Sequence, residues 1–295
     1  MVLDDNQPVT LNELSVDFSR QDLNAALSSA KSVYEKNGCF LARGLFSPED
    51  LQPVRADIDA LADIQAQVSG LDLPDDVELC RKLAILGKHD RRTIARMFDA
   101  CRRLLPVHQL SVDPRLVEIA RAATGTDLLA ASDVKAVRVD LPNEGKYLFD
   151  WHQDYPYVMD SLDAVVLWIP LHDVDESNGA LSVSPGSYRA GLLDLVLEDP
   201  DNKADNKQKM MHIGDLSVLD ENPALRVPVA GGDVLVFNTL TLHASGPNTS
   251  DAARLTLQVR FGNFRHPYAI EKGWPGSMRD GSVFHKIHPE HIVKS

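Results

Sequence analysis

Positive charge is in short supply in this sequence. Its 295 residues hold 30 Lys and Arg against 43 Asp and Glu, a formal net charge of −13, and the isoelectric point lies near 5.1. A surface that coats DNA or RNA needs clustered cations in excess, so that class of partner is excluded. A local basic pocket for a small anion is not. Cysteine is rare as well. Cys39, Cys80 and Cys101 are an odd number at no metal-ligand spacing, which predicts buried thiols in a reducing compartment rather than a disulfide framework. Long apolar runs are missing, and stretches such as Ala164 to Pro170 are far too short to span a bilayer. The N-terminal MVLDDNQPVT is acidic and polar, unlike a secretory signal. These absences predict a cytoplasmic protein with neither a nucleic-acid nor a membrane partner. No repeat, low-complexity tract or Gly/Ser-rich linker divides the chain, so a single domain is expected over 1–295.

What is present is an ordinary globular composition, 44% apolar and 25% charged, enough to bury a full core. The first part, to about residue 125, is helix-prone. Gln21 to Asn37 and Pro48 to Ala66 carry apolar residues at helical spacing, and Ser47 before Pro48 is a helix start. Between them Gly38 to Gly44 reads as a short strand ended by glycine. A third helix is expected over Arg91 to Leu105, with Ile94, Met97, Phe98, Cys101 and Leu105 on one face. From about Leu128 the pattern becomes short extended runs: Val134–Leu141, Ala164–Trp168, Leu181–Val183, Arg226–Val229, Val234–Asn238 and Leu255–Phe261. Turn signals such as Asn178-Gly179 and Gly231-Gly232 separate them. Many short strands with tight turns predict a mainly β protein with flanking α-helices, a sandwich or small barrel such as a jelly roll. Strands over about 126–265 would form the core, with 266–295 as a C-terminal extension. Glu198 to Asn222 interrupts the series without a period; it reads as an insertion over the barrel mouth, either a lid or a solvated loop.

The chemistry is concentrated in few residues. His152 and Asp154, in Trp151-His152-Gln153-Asp154, stand at i and i+2, which on an extended segment turns both side chains to one side. His243 supplies a third ligand near the end of the strand series. Two imidazoles and a carboxylate on one face of an ion leave positions open for a chelating co-substrate and oxygen, an arrangement that suits Fe(II). Eleven residues after His243, Arg254 opens an alternating strand whose Leu255, Leu257, Val259 and Phe261 face one way and Arg254, Thr256, Gln258 and Arg260 the other. Such a polar face is half solvated or lines a polar cavity. Arg254 can present a two-pronged fork to a carboxylate, with the Thr256 hydroxyl beside it.

In these segments the chain resembles the phytanoyl-CoA dioxygenase family of Fe(II)/2-oxoglutarate oxygenases. The resemblance runs from Gly38 to about Phe264 and is strongest in the Trp151–Asp154 motif, Trp168 to Tyr188, Gly231 to Phe237, and His243 to Asn248 with Arg254. It implies a double-stranded β-helix (jelly-roll) core, iron on His152, Asp154 and His243, and the distal carboxylate of 2-oxoglutarate on Arg254. It also implies co-substrate contacts for Ser245 and Trp168, each of which equally suits a structural role as a turn hydroxyl or a core indole. The expected reaction consumes 2-oxoglutarate and O2, gives succinate and CO2, and hydroxylates or otherwise oxidises a C–H bond of a small molecule. The family often has His where this chain has Tyr188. Phytanoyl-CoA specificity does not carry over, because relatives act on very different small molecules, and nothing here suggests a CoA site.

Two other classes fit parts of the pattern. A hydrolase could hold Zn(II) on the same three ligands, with Arg254 arguing against it. A non-catalytic binding protein on the same scaffold would usually have lost a ligand, and all three are present. Other groupings read as structural. His285, His288 and His291 stand three apart, but Pro289 would interrupt a helix that aligned them. His172, Asp173 and Asp175 lead into the Asn178-Gly179 turn. Arg91-Arg92 and Arg102-Arg103 form a solvated helix face or, alternatively, a basic rim for an anionic substrate. Tyr155, Tyr157 and Met159, just after the motif, are candidate pocket residues for a polar or anionic substrate.

Overall fold

The computed structural model describes residues 8–20, 22–132, 136–197, 211–276 and 283–293. The chain starts with a short helix, α1 (Leu11–Leu14), and β1 (Ser15–Asp17), followed by α2 (Leu23–Asn37), β2 (Cys39–Arg43) and α3 (Pro48–Val68). Ser47 caps α3 through a hydrogen bond from Asp50 N, and the Asp50 carboxylate answers to Ser47 N, so two orphan donors are satisfied at once. Four more helices follow: α4 (Leu79–His89), α5 (Arg91–Cys101), α6 (Leu105–Ser111) and α7 (Pro114–Thr124). The expected helix Arg91–Leu105 is therefore two. A continuous helix would drive the ring of Pro106 into the Arg102 carbonyl four residues back; the chain instead turns at Arg102 and restarts with Pro106 in the first turn of α6. Its expected apolar face is corrected too, since Ile94, Met97 and Cys101 are buried but Leu105 is 68% exposed and Phe98 37%.

Among the described residues the strands that follow are β3 (Leu129–Ala131), β4 (Ala136–Asp140), β5 (Val165–Pro170), β6 (Leu181–Val183), β7 (Leu195–Leu197), β8 (Met211–Ile213), β9 (Leu225–Val227), β10 (Val234–Asn238), β11 (His243–Ala244) and β12 (Arg254–Asn263). A last strand, β13 (Ile292–Val293), closes the chain. Residue 21 of the expected first helix, residues 134 and 135 of the expected strand Val134–Leu141, and residues 198–210 of the expected insertion lie outside the described residues. The rest of that insertion is more ordered than a solvated loop. β8 pairs with β7, Met211 and Ile213 are buried, and after α8 (Tyr155–Val158) the next helical turn, α9, covers Val218–Glu221.

The large sheet runs β1-β2-β10-β5-β12-β3, with β4 also on β12. It takes β1 and β2 from the helix-rich part of the chain. β5 lies at its centre and is buried on both faces. Val165, Leu167 and Ile169 pack with Leu255, Leu257 and Val259 of β12 and with Ile58, Leu83, Ile94 and Ile119 of the helices. Val166 and Trp168 pack the other way, with Phe237, Leu181, Val183 and Val227. These last residues belong to or face the small sheet β11-β6-β9. The order is helices, large sheet, small sheet, with the two apolar cores buried between them. A third sheet, β13-β7-β8, packs Leu195, Met211 and Ile213 around Tyr155 and Phe284. Among the described residues no helix is long and apolar enough to cross a membrane.

Candidate metal centre

Three side chains converge at one end of the space between the sheets. His152 and His243 exchange backbone hydrogen bonds, His152 N to His243 O at 3.0 Å and His243 N to His152 O at 3.1 Å. This two-residue ladder brings together imidazoles ninety-one positions apart in sequence and sets their ring centroids 4.1 Å apart. Asp154 arrives differently from expectation. Its backbone is helical, φ −76° and ψ −25°, at the start of α8, and its N–H donates to Thr239 O at 2.8 Å. The shared side of His152 and Asp154 thus comes from a turn tied to Thr239 of a neighbouring segment, not from strand alternation.

The resulting geometry suits an ion. His152 Nδ1 lies 2.7 Å from Asp150 O and His243 Nδ1 lies 3.0 Å from Thr241 O. A carbonyl oxygen only accepts, so both rings carry the proton on Nδ1 and leave the Nε2 lone pair free. Both Nε2 atoms stand 3.6 Å from Asp154 Oδ1, and the three donor atoms fall within 4.8 Å of one another. Burial and the neighbouring His243 push the His152 pKa down, which favours the neutral ligand. Burial alone would raise Asp154, yet the Arg260 guanidinium beside it holds its carboxyl well below the usual range. Two neutral imidazoles and one anionic oxygen around a common point are a divalent-metal donor set. Among the described residues this is the one such cluster. His288 instead is buried between Tyr155 and Tyr268, and His172 Nε2 accepts from Leu255 N, both structural as expected.

The cluster opens on a cavity of about 1020 Å³. Ser245 and Trp168 line it; Ser245 is also tied to Phe149 by hydrogen bonds in both directions. Tyr157 and Phe98 are on its wall, and Arg91, Arg92 and Arg138 stand at its basic side. The guanidinium of Arg91 lies over the Tyr147 ring at 4.4 Å and is bound by Glu144, while Arg138 lies over Phe149 at 4.6 Å. Arg102 and Arg103 remain on the solvated side of the chain and do not line it. Of the other candidates after the motif, Tyr155 and Met159 pack in the third apolar cluster instead.

The polar face of β12 turns away from the helices; Gln258 and Arg260 line the cavity, whereas Arg254 and Thr256 are buried and are not among its lining residues. Arg254 is opposite Asp140, Thr256 opposite Arg138 and Pro170, Gln258 opposite Trp168, and Arg260 opposite Val166. Arg254 is 2% exposed. Its Nε and Nη2 donate to Asp140 Oδ2 at 3.2 and 2.8 Å, and its Nη1 donates to Gly179 O. Thr256 Oγ1 is buried with no hydrogen-bond partner among the described residues. Three residues at this site carry roles that sequence reasoning did not give them. Asp140 occupies one edge of the Arg254 fork, Arg260 binds Asp154, and Gln153 ties the motif loop to Gly191, Leu193 and Leu240. Alternation marked Arg260 as inward-facing, but pairings across more than a hundred residues leave no local signal.

With this geometry in hand, comparison with known proteins is informative. The phytanoyl-CoA dioxygenase family profile matches residues 34–256. The chain is 23% identical over 257 residues to the peroxisomal phytanoyl-CoA dioxygenase of Rattus norvegicus, covering 85% of this chain and 73% of that one. It is 25% identical over 246 residues to the ectoine dioxygenase of Nocardia farcinica, with 79% and 77% covered. In three dimensions it resembles the epimerase SnoN, solved with Fe3+, alpha ketoglutarate and nogalamycin RO, at a TM-score of 0.55 and 19% identity over 81% of this chain and 84% of that one. That likeness concerns the fold. The family match, spanning most of the chain and including both histidines and the carboxylate described above, means that this chain belongs to the phytanoyl-CoA dioxygenase family.

Proposed function

We propose that His152, Asp154 and His243 hold one Fe(II), and that Arg254 and Thr256 receive the distal carboxylate of 2-oxoglutarate. The chain is an Fe(II)- and 2-oxoglutarate-dependent dioxygenase acting on a small molecule. The observation that carries the iron assignment is the pair of Nε2 atoms, freed by their Nδ1 bonds to carbonyls, facing Asp154 Oδ1. For the co-substrate it is the unpartnered, buried Thr256 hydroxyl beside a buried guanidinium, because a buried polar group without a partner is costly unless a ligand supplies one. Bound iron, 2-oxoglutarate and O2 together supply oxidative decarboxylation to succinate and CO2, coupled to oxidation of a C–H bond.

The chain's own groups do the orienting. The His152–His243 ladder fixes the two imidazoles relative to each other. Trp168 and Phe237 form an apolar floor under the centre, which keeps bulk water from it. Ser245, at the edge of the same cavity, offers a hydroxyl to the co-substrate. The large and small sheets are the two walls of a double-stranded β-helix in this reading. Hydroxylation is the expected outcome, since Asp154 fills the position that a halide would need. The prime substrate is a polar or anionic metabolite, supported by Arg91, Arg92 and Arg138 among aromatic walls. Three free thiols, with burial pushing Cys39 and Cys101 up to about 12, support a reducing, cytoplasmic setting. The test is a screen for substrate-stimulated succinate formation across metabolite classes, with iron-loaded protein. Stimulation by an anionic or polar metabolite is expected. No succinate under any condition, with iron bound, contradicts the reading.

A further inference from the structure

Arg260 lies on the cavity face of β12 with its side chain 9% exposed. Its Nε donates to Asp154 Oδ2 at 2.7 Å, and the closest Nη2 approach to the same oxygen is also 2.7 Å. Nη2 further donates to Gln258 Oε1 at 3.0 Å, which fixes the plane of the fork. Asp154 is thereby divided. Oδ1 faces His152 and His243 at 3.6 Å each, while Oδ2 is held on the guanidinium. The remaining nitrogen, Nη1, is buried and has no hydrogen-bond partner among the described residues. A guanidinium is always charged, and an unpaired N–H on a buried cation is costly unless an acceptor arrives. At this place the acceptor would stand beside a metal ligand, in a cavity large enough to admit one.

We propose that Arg260 is a positioning residue that makes Asp154 a one-oxygen ligand, and that its Nη1 binds a carboxylate of the co-substrate next to the metal. The proposal rests on the reading of the centre as an Fe(II) and 2-oxoglutarate site. Its physical basis is steric and electrostatic. A carboxylate free to turn about its Cβ–Cγ bond can chelate with both oxygens and occupy a position that the co-substrate or O2 needs. The Nε hydrogen bond to Oδ2, with the second prong Nη2 in ion-pair contact with the same oxygen, stops that rotation. Lysine keeps the charge at this position but has neither the second prong nor a nitrogen left over.

The experiment uses anaerobic full-length protein in three forms: wild type, Arg260→Lys and Arg260→Ala. Fe(II) affinity is measured by competition with a chromogenic chelator. 2-Oxoglutarate is then titrated at saturating iron, following the visible charge-transfer band of the iron–co-substrate complex. Loss of an outer partner of a metal ligand costs about 10- to 100-fold in metal affinity, and a loss in that range is expected for both variants. The 2-oxoglutarate midpoint should rise at saturating iron, the band should shift, and methylguanidinium should partly restore both in Arg260→Ala. If Arg260→Ala does not fold, Arg260→Lys carries the test. Iron affinity, midpoint and band all unchanged from wild type in the variants overturn the assignment of Arg260 alone. Weakened iron binding with an unchanged 2-oxoglutarate midpoint overturns the Nη1 contact. A wild-type protein that takes up iron but gives no band with 2-oxoglutarate overturns the underlying reading of the centre, and the role of Arg260 with it.

Discussion

Asp140 Oδ2 accepts hydrogen bonds from both Nε and Nη2 of Arg254, at 3.2 and 2.8 Å. The guanidinium proposed to anchor 2-oxoglutarate therefore already holds a carboxylate of its own chain, directly opposite it across the β4–β12 pair. Arg138 takes the other oxygen of Asp140 at 2.5 Å. On the proposed reading, the co-substrate would be received by the Nη N–H groups that Asp140 and Gly179 leave over, together with the Thr256 hydroxyl.

Arg254→Lys keeps the charge and loses the fork, so 2-oxoglutarate binding weakens. Arg254→Ala weakens it further, by roughly 2–4 kcal/mol, since a desolvated carboxylate loses a charge-assisted partner. Iron affinity changes little in either, because Arg254 reaches no metal ligand. Calorimetry of 2-oxoglutarate binding to anaerobic, iron-loaded protein measures this. Equal affinities for wild type and Arg254→Ala place the anchor elsewhere.

Asp140→Asn removes an anion that competes for the fork, and 2-oxoglutarate binding should tighten in the same calorimetric assay. Weaker binding would mean that Asp140 orients Arg254 rather than competing with the ligand. The substitution also carries a pH signature. Burial alone would raise the Asp140 carboxyl, but Arg138 and Arg254 reverse this and leave it below its ordinary value. A depressed carboxylate contributes stability above its unfolded value of about 3.9, and that contribution is lost as pH falls through the folded value. The gap in Tm between wild type and Asp140→Asn should therefore be widest near neutrality and narrow below about pH 4. A constant gap shows that Asp140 does not titrate against its arginines.

Asp154→Gly empties the anionic position between the two histidines and leaves Arg260 without its carboxylate. Hydroxylation should be lost. Chloride should then perturb the visible band of the iron–2-oxoglutarate complex in this variant and not in wild type, because a cation and an open metal position now face each other. An identical response to chloride in both proteins contradicts this.

Gly38 ends α2 in the left-handed region, φ +68°, and a Cβ there would lie 2.2 Å from the Tyr188 ring. Gly38→Ala combines a left-handed penalty of about 1 kcal/mol with overpacking of about 1–3 kcal/mol, so Tm falls measurably. Tyr188 Oη also donates to Glu35 O at 2.6 Å. That contact explains what tyrosine does at a position where the family often has histidine. An unchanged Tm for Gly38→Ala would mean that the ring moves aside at no cost.

Much of this was legible in the residues themselves. The period-two alternation of β12, the Ser47 cap with Pro48, and the turns Asn178-Gly179 and Gly231-Gly232 are local signals, and each marks the element found there. The three metal-facing residues were legible as types, though not through the geometry first inferred. Asp154 sits in a helical turn, so its alignment with His152 depends on hydrogen bonds to Thr239 and His243 that no short window contains. The same holds for Asp140–Arg254 and Asp154–Arg260, charge pairs made only when β4, α8 and β12 meet. β7 and β8 were not expected; unlike the equally short β6, which follows the Asn178-Gly179 turn, neither carried a turn signal among those read from the sequence. The break between α5 and α6 was within reach, since Pro106 follows the expected helix end by one residue.

His152, Asp154 and His243 are proposed to hold the iron at which 2-oxoglutarate is consumed. The most direct measurement of this is iron content together with succinate formation, in wild type and in His243→Ala prepared identically. One iron per wild-type chain with 2-oxoglutarate turnover is expected. For His243→Ala the expected result is a folded protein that has lost iron and forms succinate only at background. Wild-type iron occupancy and full succinate formation in His243→Ala would contradict the assignment.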